Sequence, residues 1–89
     1  MIDLKKIKIY YRYRGFYGGF FQDNTRKNNP LMSDQEWTII EQLVTDTYLV
    51  EKNLTNETFK ENLIKSYKDY NLDSKAINFI KEIALKLNK

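Results

Sequence analysis

From Lys6 to Arg14 the chain alternates. The odd positions carry Ile7, Ile9, Tyr11 and Tyr13, and the even positions carry Lys6, Lys8, Tyr10, Arg12 and Arg14. Successive side chains of a strand point to opposite faces, so this pattern predicts a strand with one apolar-aromatic face and one basic face holding a single tyrosine. β-Branched and aromatic residues also suit a pleated surface. Gly15 offers a two-residue turn, as Arg14-Gly15 or Gly15-Phe16, and the return strand brings Tyr17 and Phe21 to the basic face. A three-residue loop would reverse that second strand, and Gly18-Gly19 is alternatively a bulge or bend. Residues 5–22 are thus expected to form an antiparallel β-hairpin. Residues 23–32 are a polar loop containing Pro30.

After Pro30 the apolar period becomes helical, with helices expected over 33–51, 55–70 and 73–87. Ser33-Asp34-Gln35-Glu36 spells a capping box, and Met32 and Trp37 have the spacing of a hydrophobic staple. Trp37, Ile39, Ile40, Leu43, Val44, Tyr48 and Val50 then cover about half of the first helix. Thr55 is read as the second N-cap, with Leu54 and Phe59 stapled and a stripe of Phe59, Leu63, Ile64, Tyr67 and Tyr70. Asn71 suits a left-handed residue after that helix. Asp73 starts the third helix, with Leu72 and Ile77 stapled and Ala76, Ile77, Phe79, Ile80, Ile83, Ala84 and Leu87 inward. Leu49 and Leu85 fall off their stripes, as isolated surface leucines or as a contact in a homodimer.

A two-stranded hairpin alone is barely stable in water, so Ile7, Ile9, Tyr11 and Phe20, with Tyr13 a further candidate, must lie on the helices. The expected fold class is α+β: an N-terminal antiparallel β-hairpin packed on a three-helix layer, in one domain of 89 residues. Packing the apolar face inward turns the basic face to solvent.

Charge sharpens this picture. Residues 1–30 hold seven basic and two acidic residues, a balance of +5, and residues 31–89 hold eight and ten, a balance of −2. The split marks a basic patch on a mixed surface. The outward residues Lys6, Lys8, Tyr10, Arg12, Arg14, Tyr17 and Phe21, extended by Arg26 and Lys27, form the candidate site. Cations neutralise phosphates and aromatic rings stack on exposed bases. The structural alternative is that the tyrosines are cross-strand packing pairs and the cations protect a sheet edge. Arg14 to Phe21 is similar to the RNP1 signature of RNA-recognition domains at its first three positions and its last. The helices that follow do not fit that fold, and the match is treated as chance.

Helices two and three also have the order of a helix-turn-helix, but Tyr67 stands where tight crossing needs a small residue, which favours a plain helical hairpin. There is no cysteine and no histidine, so the usual nucleophile–base pairs of enzymes are absent and no cofactor or metal is expected. No apolar run approaches the roughly 18 residues of a membrane span, and the N-terminus lacks a long apolar h-region. A cytoplasmic protein with no membrane partner is expected. Nine asparagines with abundant lysine and isoleucine suggest an AT-rich bacterial or phage genome.

The resulting expectation is a small non-enzymatic accessory protein, encoded by a phage or mobile element, that binds nucleic acid or a nucleoprotein through the hairpin. The alternative is a protein-binding inhibitor or regulator, of anti-CRISPR or other anti-defence type, that blocks a nucleic-acid-processing enzyme. Tyr and Arg are favoured at such protein interfaces.

Overall fold

The computed structural model describes residues 2–16 and 32–87. Among the described residues there are four helices and no strand: α1 (Leu4–Phe16), α2 (Asp34–Glu51), α3 (Glu57–Asp69) and α4 (Ser74–Leu87). The α+β expectation is therefore corrected. The segment expected to be the first strand and its turn, Gly15 included, is helix α1. The expected return strand and polar loop lie over residues 17–31, outside the described residues.

Helix α1 has a physical start that the alternation obscures. The Asp3 carboxylate accepts the Lys6 backbone N–H at 3.0 Å, and the Asp3 carbonyl accepts the Ile7 N–H at 3.2 Å. Those are the bonds of an N-cap. Ile2 before the cap and Ile7 four residues after it are both buried, in the positions of a hydrophobic staple. Ile7, Tyr10, Tyr11 and Arg14 then recur at i, i+3, i+4 and i+7, the spacing of one helical face. Ile7 and Tyr10 are buried and Tyr11 is half-buried. Tyr10, expected to face solvent, instead packs edge-on against Trp37 of α2, with ring centroids 4.9 Å apart. The helix wins because tertiary burial outweighs strand propensity. Each such side chain contributes about 1.5–3 kcal/mol on burial, against propensity differences of at most about 0.7 kcal/mol for ordinary residues.

Helix α2 starts at a complete capping box. Ser33 Oγ accepts the Glu36 N–H at 3.1 Å, and Glu36 Oε1 accepts the Ser33 N–H at 3.2 Å. Met32 and Trp37 are both buried. The N-cap of α3 is Asn56, whose Oδ1 accepts the Phe59 N–H at 3.0 Å; this corrects Thr55. Leu54 is not stapled but 61 % exposed. It belongs to the end of α2, where Asn53 takes a φ of 56°. There the Leu54 and Asn53 N–H groups bond the carbonyls of Leu49 (2.8 Å) and Val50 (3.0 Å). This is a Schellman motif. The same motif closes α3, with Asn71 at φ 55° and the Leu72 N–H bonding the Tyr67 carbonyl at 3.0 Å. Asp73 then caps α4 by accepting the Ala76 N–H at 2.8 Å.

Helix α4 is the axis of the packing: α1 and α2 both lie against it, while α3 lies against α2. Its Ala76, Ile80, Ile83 and Ala84 are all buried. Small buried residues at 76 and 84 let neighbouring backbones approach closely. The core is continuous from Ile7 and Tyr10 through Trp37, Ile40 and Val44 to Ile80 and Ile83. Among the described residues a buried polar contact joins α2 to α3: Thr47 Oγ1 and the Tyr67 hydroxyl are 2.5 Å apart. Burial is the main reason the Tyr67 phenol is held above its ordinary pKa of 10.0. Ile64, expected inward, is 46 % exposed, and Leu85 is 40 % exposed.

Candidate anion-binding face

Helix α1 carries Lys5, Lys6, Lys8, Arg12 and Arg14 and no acidic residue. As a helix, it distributes these five cations differently from the single basic face expected of a strand. Lys6 forms an ion pair with Glu36, and both side chains are about one-fifth exposed. Glu36 thereby closes the α2 capping box with one oxygen and ties α1 to α2 with the other. Its carboxyl is held below the ordinary value, first by the Lys6 hydrogen bond and then by the Ser33 groups, against an opposing effect of burial. Lys6 is thus a structural cation.

Arg14 stands beside the Tyr10 hydroxyl. Burial first, then the Glu41 charge, push that phenol above its ordinary 10.0, and the Arg14 hydrogen bond opposes them. Tyr10, Arg14, Glu41 and Thr45 line a polar cleft of about 270 Å³. Arg14 is exposed, but it is committed to this corner between α1 and α2.

Lys5, Lys8 and Arg12 form a third group. They sit at i, i+3 and i+7, so a helix places them on one side, and all three are exposed. With Leu4 and Ile9 they line an open groove of about 420 Å³. Of the sequence-derived candidates, this groove gathers Lys8 and Arg12. It adds Lys5, which lies just before the alternating window and was not among those candidates. Tyr10 is withdrawn into the core. Tyr17, Phe21, Arg26 and Lys27 lie outside the described residues.

Two residues from α4 border the same side, and sequence reasoning did not select them. Lys8 Nζ lies 6.0 Å from the Phe79 ring centroid. Phe79 meets Tyr11 edge-on, with centroids 5.6 Å apart and planes at 86°, and Lys86 Nζ lies 5.7 Å from the Tyr11 centroid. Two ammonium groups thus bracket an aromatic pair across the α1–α4 seam. Lys86 also pairs with Glu82 at 3.0 Å. Its pKa is raised first by that hydrogen bond and then by Tyr11. The helical periods of α1 and α4, taken together, were the signal that would have joined these four residues.

Among the described residues no group of three or more Asp, Glu, His or Cys could hold a metal ion, and no helix is long and apolar enough to cross a membrane. No family model, curated protein or solved structure matches the chain.

Proposed function

We propose that the chain is a small non-enzymatic accessory protein that binds nucleic acid, bare or within a nucleoprotein, through the exposed cationic side of α1. The observation that carries this reading is the trio Lys5, Lys8 and Arg12, exposed on one side of a helix that holds five cations and no acid. At 1.5 Å per residue the trio spans about 10 Å of helix axis. A duplex strand carries one phosphate per 3.4 Å of its axis, so the stripe matches about three phosphates. Each neutralised phosphate releases counterions, and this release drives binding. With Tyr10 buried and Tyr11 turned edge-on to Phe79, these two rings are unsuited to base stacking. The contact rests on cations and backbone phosphate.

The test is a salt titration of binding to a labelled duplex of random sequence, followed by fluorescence anisotropy. Three phosphate contacts give a slope of log K against log salt of about −2.7. Replacing Lys5, Lys8 and Arg12 together by alanine should remove most of the slope. A wild-type protein that fails to bind at 50 mM salt, or a triple variant with unchanged affinity and slope, removes the proposal.

A second reading, an inhibitor or regulator of a nucleic-acid-processing enzyme, draws on the apolar share of the same groove. Leu4 and Ile9 lie among the cations, a mixture that suits a protein surface bearing carboxylates. A pull-down from nuclease-treated lysate separates the two. A stoichiometric protein partner that survives nuclease favours the inhibitor, and co-purifying nucleic acid favours the first reading.

A further inference from the structure

We infer that α4 extends the phosphate contact by one cation. Lys86 binds the backbone of the same nucleic acid as the α1 stripe, and Glu82 competes with that phosphate for it. This rests on the proposed role of α1 and extends it to residues on another helix.

Lys8 belongs to two sets at once: it is the middle cation of the α1 trio and the first member of the seam Lys8–Phe79–Tyr11–Lys86. A backbone that lies along the α1 stripe and meets Lys8 therefore has Lys86 next along the α1–α4 seam. The rings between the two ammonium groups are half-buried and belong to different helices packed on each other, so the fold fixes the aromatic pair on which both cations rest. An ammonium resting on a ring face is attracted to it and has already lost side-chain freedom, which lowers the ordering cost of binding.

Glu82 then acquires a role. It lies one turn before Lys86, in the favourable orientation for such a pair, and both side chains are about half exposed. An exposed pair of this kind is weak and opens readily. A nucleic-acid strand, which offers a row of singly charged phosphodiesters rather than one carboxylate, displaces it. Glu82 is a built-in competitor for Lys86 and weakens the wild-type contact.

The experiment is the same duplex titration with two single variants, their double combination and one control, each checked for an unchanged thermal melt. Lys86→Gln should reduce the salt slope by about one contact and weaken binding roughly fivefold to tenfold at 100 mM salt. Glu82→Gln should tighten binding while Lys86 is present and leave affinity unchanged in the Lys86→Gln background. Lys81→Gln, whose ammonium pairs with Glu51 of α2 at 3.9 Å, should leave the slope unaltered. If the triple α1 variant loses binding but Lys86→Gln leaves the slope intact and Glu82→Gln has no effect, the inference about α4 falls while the reading of α1 stands. If the wild-type protein shows no salt-dependent binding, both fall together.

Discussion

Helices α1 and α2 begin in the same way and lie against the same partner, yet they carry opposite charge. Each is preceded by a buried apolar residue, Ile2 or Met32, and each places its staple partner, Ile7 or Trp37, in the core. Both pack on α4. Within its helical span α1 has five cations and no acid. Within its own, α2 has Asp34, Glu36, Glu41, Asp46 and Glu51 and no cation. The buried sides are alike because packing dictates them; the outer sides differ because packing leaves them free. Mutual attraction between the helices accounts for part of the difference, through Lys6 with Glu36. Lys5, Lys8 and Arg12 are exposed on another side of α1, and the proposed anionic partner would meet them there.

The most severe test of this likeness is a matched pair of core truncations. Ile7 of α1 and Ile40 of α2 are both fully buried. Ile7→Ala and Ile40→Ala should each destabilise by about 2–5 kcal/mol, read from the midpoint of urea unfolding at constant m-value. A cost below about 1 kcal/mol at Ile7 alone, within the range of surface changes, would mean that α1 is not docked as described.

The same pair explains what the sequence made legible. Helix α2 was readable because its box Ser33–Glu36 and its apolar period agree, and α4 because Asp73 precedes a clean stripe of Ala76, Ile80, Ile83 and Ala84. Helix α1 was misread because two periods coexist in it. Ile7, Ile9, Tyr11 and Tyr13 alternate, while Ile7, Tyr10, Tyr11 and Arg14 follow a helix. The deciding residues, Ile2 and Asp3, sit just before the window in which alternation begins. Of the site, Lys8 and Arg12 were legible from charge alone. Lys5 was missed because it precedes the alternating window, and Phe79 and Lys86 because they lie on another helix. Thr47 was hidden by its polarity, since only the facing Tyr67 hydroxyl makes its burial acceptable.

A smaller effect separates the two buried phenols. Tyr67→Phe removes the partner of the buried Thr47 hydroxyl and should cost about 1–3 kcal/mol. Tyr10→Phe should cost less, because the Tyr10 hydroxyl borders the polar cleft shared with Arg14. Both phenols have folded pKa values above 10.0, so the folded state holds their protons more tightly than the unfolded state. Their contribution is complete below pH 10 and is lost as pH rises through the folded values. Thermal melts should fall along an alkaline limb that starts near pH 10, and each Phe variant should flatten it. A Tyr67→Phe limb identical to wild type would contradict the buried placement.

The finest distinction lies within α1 itself, between a cation that holds the fold and a cation proposed to meet a ligand. Lys6 and Lys8 are two residues apart, but Lys6 is paired with Glu36 and Lys8 is exposed above Phe79. Lys6→Gln should cost at most about 1 kcal/mol of stability, as ion pairs near the surface do. Its loss should also remove part of the acid sensitivity. The Glu36 pKa is depressed in the folded state, so the stability linked to it is present above its ordinary 4.5 and disappears as pH falls through the depressed value. Without Lys6 the melt between pH 5 and pH 3 should be flatter than in the wild type. The same substitution should leave the duplex salt slope nearly unchanged. Lys8→Gln should do the reverse, with little change in the acid limb and a slope reduced by about one contact. Equal effects of the two substitutions on the slope would show that α1 attracts polyanions by total charge alone, and the helical placement of Lys5, Lys8 and Arg12 would then carry no information about the partner.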